Sequence, residues 1–543
     1  MDDGGVVPRA PAGNALHLVE QPARRRPIAS SEETARPLEA MANRGYPPTP
    51  WGIAQPAPPT EGHSLPAARS IPLMFDHDPF EQVADLFKQI LLERREQESK
   101  QPVLEREDPE VLRETLDLKL PRIGRDLDDV ADRLRILVQH TPITASGGFF
   151  NQLFGGQEPA ALLGETVAAA LNSSMYTYKV GGAQVLVELE LVKQMGLRVG
   201  FENADGVFTP GGSLSNLSGM LVARDRKRPG ARRHGLRGQR LRVYTSELSH
   251  YSVAKAVTML GIGLDNLVRV AVDERGRMDP QALREAVAKD LAAGHEPMMV
   301  NATAGTTVLG AFDPIDAIAD VCDDHDLWLH VDGAFGGSAV LDPAQAHLLQ
   351  GSERADSMAW DAHKLMGAPL SCSVVLVRER GLLAASLDEN ASYLFQADDD
   401  ELNPGTRSVQ CGRRNDALKL WALWQSLGDE GMAKRLARLR SLALCAAGLV
   451  RSAPGLELVR EPEFVNVCFR VEGVDADELC AQLSDRGLAL IGYALVDGEK
   501  VVRLTLSNAV VDEEDLRLLF RRLQQVASEC AAVGAAAGRG EKR

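Results

Sequence analysis

From Val207 onward, short apolar runs of strand character alternate with amphipathic helical segments, and few folds accommodate that order. The runs are VYTS, LVRVAV, MMVNAT, LWLHVD, SMAWD and SVVLV. Between them lie helical stretches at Asn216–Asp225, Ser252–Leu260, Asp279–Ala292 and Pro314–Asp324. Strands of this kind, spaced by helices, predict an α/β domain whose mostly parallel sheet is covered on both faces. Ligands of such folds bind beyond the carboxyl ends of the strands. The residues just after each run therefore carry the most information about function.

The flanking segments read differently. Residues 1–74, rich in Pro, Ala, Arg and Ser, bury too little apolar surface to offset their ordering entropy and predict a mostly disordered tail. A helical segment follows over 75–155. Asp78 and Pro79 supply its N-cap and first turn, and Phe80, Val83, Leu86, Phe87, Ile90 and Leu91 share one face. Further helices are predicted at Ile123–Val138, Glu158–Asn172 and Gln184–Met195, with a shaped Gly- and Thr-rich loop, HTPITASGGFFNQLFGG, before the last two. The α/β domain spans 156–430. After a helix at Gly431–Ala453, shorter alternating runs predict a separate small α+β domain over 431–532, and 533–543 reads as a frayed tail.

The net charge of −16 argues against nucleic-acid binding. No apolar run reaches 18 residues, and the N-terminus lacks a secretory pattern, so a cytoplasmic protein without a membrane partner is expected. The seven cysteines form no CxxC pair, which predicts reduced thiols and no zinc site.

Four features near strand ends carry chemistry. TPGGSLSN, Thr209–Asn216, opens a helix with two glycines and several hydroxyls. It is built as a phosphate cradle, although an ordinary N-cap turn has the same composition. SELSHYS places His250 after a strand, either as a structural residue or as a ring that stacks on a planar cofactor. WLHVDGAFGG places Asp332 at the end of an apolar run, where it either caps a turn or faces a cationic ring nitrogen, with Ala334 thin enough to lie against that ring. Lys364 sits between Met358-Ala359-Trp360 and Leu365-Met366-Gly367. An ammonium is costly to bury there. Either its stem is buried and its head reaches water, or it is an aldehyde-reactive amine. The 32 residues from Asp332 to Lys364 suffice for one βαβ crossover. Taken together, the four point to a site for pyridoxal 5'-phosphate.

These stretches, with FFNQLFGG, NSSMYTY, NATAGTTVLGAFDPIDAIADVC, RADSMAWDAHKLMG, LSCSVVLV, ASYLFQ, VQCGRRNDALKLW and EPEFVNVCF, resemble the group II pyridoxal-phosphate-dependent amino-acid decarboxylases over residues 110–530. The resemblance is to the glutamate and cysteine sulfinate decarboxylase branch. It implies the fold type I, aspartate aminotransferase-like architecture and a homodimer with active sites at the interface. It implies that Lys364 is the Schiff-base lysine, Asp332 the pyridinium partner, Ala334 the residue under the ring and His250 the stacking histidine. Gly212, Ser213 and His363 match phosphate-anchoring positions, and Thr306 a position near the cofactor. Tyr393 matches the loop tyrosine that protonates the carbanion after CO2 leaves. Gln152 and Arg503 match positions that hold the distal acid group of the substrate.

The implied activity is α-decarboxylation of an L-amino acid with an acidic side chain: aspartate, glutamate or cysteine sulfinate. The alternatives are a non-acidic amino acid, or aldehyde synthase or transaminase chemistry on the same fold. Four features depart from the family pattern: Asp361-Ala362 in place of Asn-Pro, Lys179–Gly182, Gly333 in place of Ala and Phe335 in place of Trp. A carboxylate at 361 would repel a phosphate unless it points away or finds a donor.

Overall fold

The computed structural model describes residues 78–540, apart from 99, 237, 239 and 390–399. The expectations for the tail 1–74, for Tyr393 and for 541–543 lie outside the described residues.

Six of the seven strands of the sheet form from the runs read in the sequence; the first, DGVFT, is not among them. Its strands are β1 (Asp205–Thr209), β2 (Leu241–Ser246), β3 (Leu267–Val270), β4 (Glu296–Thr303), β5 (Trp328–Gly333), β6 (Ser357–Asp361) and β7 (Ser373–Val377). They lie in the order β1-β7-β6-β5-β4-β2-β3. The block from β3 to β6 is parallel, whereas β7 runs antiparallel to both of its neighbours, β1 and β6. The run SVVLV is thus a strand that reverses direction, a difference its apolar composition does not encode. Every residue of β5, β6 and β7 is buried. Each large apolar side chain removed from water there contributes about 1.5–3 kcal/mol. Helices Gly212–Lys227, Ser252–Met259, Pro280–Ala292 and Ile315–His325 connect the strands.

A second, antiparallel sheet holds β8 (Leu456–Leu458), β9 (Asn466–Val471), β10 (Gly492–Val496) and β11 (Glu499–Thr505), in the order β10-β11-β9-β8. The helix preceding it starts earlier than its periodicity suggests, at Ala417, and runs to Ser452. It breaks at Gly428 (φ 60°, ψ −178°), two residues before the boundary read at 430. The last helix, Glu513–Gly540, continues through the stretch expected to fray. Its alanines, the best helix formers, extend it.

The four early helices read from the sequence form, the second starting at Leu127 rather than Ile123, and a further helix, Pro109–Leu116, forms where none is expected. Asp78 caps Pro79–Gln97 by accepting from the Phe80 N–H at 2.9 Å, and Leu127–Gln139, Pro159–Leu171 and Ala183–Arg198 follow. The aromatic loop is anchored to the second sheet. Phe150 N–H donates to Leu490 O at 2.7 Å, and Thr505 N–H donates to Phe150 O at 3.3 Å. That anchoring carries Gln152 to the cavity described next.

Candidate active site

A cavity of about 420 Å³ opens beyond the carboxyl ends of β1, β5 and β6. At one wall the chain leaves β1 and turns through Gly211 (φ 143°) into helix Gly212–Lys227 without a side-chain cap. The helix start is therefore open to an anion, which the helix dipole favours, although the Leu214 N–H already donates to Gly211 O at 2.9 Å. Gly211, Gly212 and Ser213 line this wall. A Cβ on Gly212 would stand 2.8 and 2.9 Å from the Asp361 carboxylate oxygens and 3.0 Å from Ala334 Cβ, so the close approach requires glycine.

The floor comes from β5 and the turn after it. Asp332 is 4% exposed. Its Oδ2 accepts from Asn216 Nδ2 at 2.8 Å and its Oδ1 accepts from the Ala334 N–H at 3.2 Å. Ala334, Phe335 and Thr303 line the cavity beside it. His250 follows β2, and its Nδ1 lies 2.8 Å from Ser252 Oγ. Burial pushes the pKa of His250 below its ordinary value, against the opposing pull of Asp332.

Lys364 follows β6 by three residues. Its side chain is 19% exposed and its Nζ lies 3.2 Å from Asp361 Oδ2. His363 Nδ1 lies 3.1 Å from both the N–H and the carbonyl oxygen of Cys372, and its Nε2 lies 3.7 Å from the same Asp361 oxygen. Burial lowers the pKa of His363. Asp361 itself is 2% exposed, and its Oδ1 is buried without a hydrogen-bond partner. Across the cavity stand Gln152 and Arg503. Arg503 donates from Nη2 to Asn151 O and from Nη1 to Thr307 O at 3.4 Å, and its Nε is buried without a partner.

Nine residues singled out from sequence thus line one cavity: Gln152, Gly212, Ser213, His250, Asp332, Ala334, His363, Lys364 and Arg503. Thr306 does not join them. It is 1% exposed and its Oγ1 accepts from the Ala311 N–H at 3.1 Å, within its own loop, while Gly305 and Thr307 reach the cavity wall. Sequence reasoning passed over Asn216, the last residue of the cradle motif. It reads as the first residue of the following helix, yet it bonds Asp332, 116 residues away.

The residues fit a planar, phosphorylated, aldehyde-bearing cofactor. An uncapped helix start would take the phosphate, a buried carboxylate would face a cationic ring nitrogen, and an amine stands within the same cavity. Among the described residues, no group of three or more His, Cys, Asp or Glu could hold a metal ion.

Comparison with known proteins agrees with this chemistry. The family model described as the pyridoxal-dependent decarboxylase conserved domain matches residues 109–472. The chain is 40% identical over 431 residues to the cysteine sulfinic acid decarboxylase of Mus musculus, covering 75% of this chain and 87% of that protein. It is 41% identical over 357 residues to the acidic amino acid decarboxylase GADL1 of Bos taurus, covering 65% and 68%. The crystal structure of mouse CSAD superposes with a TM-score of 0.79 at 38% identity, covering 83% of this chain and 99% of that one.

Proposed function

Since the chain belongs to the pyridoxal-dependent decarboxylase family, we propose that its substrate is cysteine sulfinate or a close carboxylate analogue, aspartate or glutamate, held by Gln152 and Arg503. The protein is a carboxy-lyase that uses pyridoxal phosphate and removes the α-carboxylate of an acidic amino acid. The observation that carries the choice of substrate is Arg503. Burial lowers its pKa, its Nε has no partner, and its two remaining nitrogens donate only to backbone carbonyls. An incoming carboxylate or sulfinate would satisfy the guanidinium, whose fork suits a two-oxygen acid.

In this reading, the bound cofactor supplies an electron-accepting ring conjugated to the carbon that loses CO2. Lys364 provides the amine that anchors it. Asp332 accepts the ring N–H and keeps that nitrogen protonated. Gly212, Ser213 and His363 hold the phosphate, with Thr306 supporting the loop beside it. His250 would stack on the ring, with Ala334 on its other side, and Tyr393 would supply the proton to Cα.

The same proposal makes the protein a cytoplasmic homodimer, with residues 75–155 at the dimer interface. All seven cysteines are free thiols, which suits a reducing compartment. Helix Pro79–Gln97 buries none of its residues, and Phe80 and Leu92 are 79% and 58% exposed. A second copy would cover them.

The test is CO2 release from a panel of amino acids that includes cysteine sulfinate, aspartate, glutamate and 2,4-diaminobutyrate. Wild type should favour an acidic substrate. Arg503→Leu should raise its KM roughly 10²-fold, the loss of a buried charge-assisted pair. A preference for a basic or neutral amino acid, or an unchanged KM in the variant, would refute the assignment.

A further inference from the structure

Behind the floor of the cavity runs a buried chain of polar side chains, Trp328, Ser357, His330, Asn216, Asp332, Ser252 and His250. Trp328 Nε1 donates to Ser357 Oγ at 2.8 Å. Ser357 Oγ lies 2.8 Å from His330 Nδ1, and His330 Nε2 lies 3.0 Å from Asn216 Oδ1. Asn216 Nδ2 reaches Asp332 Oδ2 at 2.8 Å and Ser252 Oγ at 3.0 Å. Ser252 Oγ in turn lies 2.8 Å from His250 Nδ1. Ser357 and His330 are 0% exposed and Asn216 is 2% exposed, so water does not complete these bonds.

The two ends leave one arrangement of protons. An indole N–H only donates, so Ser357 Oγ accepts from it and keeps its own proton free for His330 Nδ1. A neutral His330 then carries its proton on Nε2 and donates to Asn216 Oδ1. The ring is neutral because burial pushes its pKa down to about 4. Asn216 is thereby oriented with its amide nitrogen toward Asp332 and Ser252. A carboxylate only accepts, so the far end requires the same orientation. Ser252, having accepted, donates to His250 Nδ1, which also receives the Ser252 backbone N–H at 3.3 Å. The proton of His250 is left on Nε2.

We propose that Asn216, oriented by His330 and Ser357, is a positioning residue that sets two groups at once: Asp332 as the acceptor for the cofactor's ring nitrogen, and His250 as its Nε2–H tautomer. The inference rests on the reading of Asp332 and His250 as cofactor partners, but the tautomer assignments stand without it. The chain has a polarity, and only side chains that preserve it can substitute. Glutamine at 330 retains a donor toward Asn216 and an acceptor toward Ser357, whereas leucine has neither.

The experiment uses the full chain with 15N-labelled histidine, with peaks assigned through His250→Gln and His330→Gln. In wild-type apoprotein at neutral pH, both rings should show a protonated Nε2 and a bare Nδ1. On reconstitution with pyridoxal phosphate, His330→Leu should bind the cofactor roughly 10- to 100-fold more weakly, as when a buried polar group loses its partner. The absorbance band of the bound cofactor should also titrate at a different pH. His330→Gln should restore affinity and band to within about threefold of wild type, on the scale of a retained hydrogen bond. A merely structural role would affect stability in both variants without moving the band. A proton on Nδ1 of His250 in wild type would overturn the proposal, whatever the folding of the variants. So would cofactor binding by His330→Leu with unchanged affinity and spectrum. A failure of pyridoxal phosphate to bind wild type at all would refute the cofactor reading and leave the tautomer test intact.

Discussion

Lys364 Nζ and Asp361 Oδ2 stand 3.2 Å apart, and the second oxygen of that carboxylate is buried without a partner. Of the two ways expected from sequence for this carboxylate to avoid repelling a phosphate, pointing away or finding a donor, it takes the second, with the ammonium of the candidate anchoring lysine. Removing Lys364 leaves a buried carboxylate with only the neutral His363 nearby. We expect Lys364→Ala to lose the visible band of the bound cofactor and to be destabilised by about 2 kcal/mol, a buried charge stripped of its partner. Asp361→Ala/Lys364→Ala should recover most of that stability. Denaturant midpoints for the two single variants and the double variant make the check, and additive losses would show that the two charges do not interact.

Glu188 and Arg413 form a second buried pair, each side chain 2% exposed. Arg413 donates to both Glu188 oxygens, at 2.8 and 3.1 Å, and to the carbonyls of Met175 and Phe208. It thereby ties the segment after residue 400 to β1 and to the helix Ala183–Arg198. Lysine keeps the charge but has no fork with which to make four bonds. Arg413→Lys should cost about 3 kcal/mol, close to the cost of breaking a buried pair. Urea unfolding at neutral pH measures it, and a change below about 1 kcal/mol, the worth of one ordinary hydrogen bond, would contradict the role.

His330 gives stability a pH dependence with a definite sign. Its pKa is held at about 4, against 6.5 in the unfolded chain. Above pH 6.5 both states are neutral there, and the full stability is present. Between 6.5 and about 4 the unfolded chain binds a proton that the native state refuses, so stability falls with falling pH. The loss approaches about 3 kcal/mol at most, the free energy that corresponds to the gap between the folded and unfolded pKa values. His330→Gln should lose this component. A comparison of unfolding free energies at pH 7 and pH 5 tests it, and parallel losses in both proteins would contradict it.

Phe80 and Phe87 are 79% and 44% exposed on a helix that buries nothing. If a second copy covers them, Phe80→Glu/Phe87→Glu should shift wild-type dimer toward monomer in sedimentation velocity. Burial of two such side chains at roughly 2 kcal/mol each makes this a large change in association constant. Wild type that sediments as a monomer would refute the dimer.

The strands and most of the site were legible because both depend on local pattern. Continuous apolar runs mark β4, β5, β6 and β7, and the cradle, His250, Asp332 and Lys364 all follow or close such runs. The antiparallel course of β7 was not legible, since a buried strand has the same composition in either direction. Nor was the inward turn of Thr306, whose hydroxyl is claimed by the backbone of Ala311, five residues on.

The α/β order, the lysine set in an apolar run and the strand-end carboxylate follow from the amino-acid sequence, because hydrophobic periodicity and the chemical nature of a side chain are properties of the chain. Only the packed fold brings Asn216 to His330, 114 residues away, and Asp361 to Gly212. Those meetings depend on which strands lie side by side. Hydrogen-bond direction and the cost of an unpaired buried charge act only once the strands have brought the groups within about 3 Å.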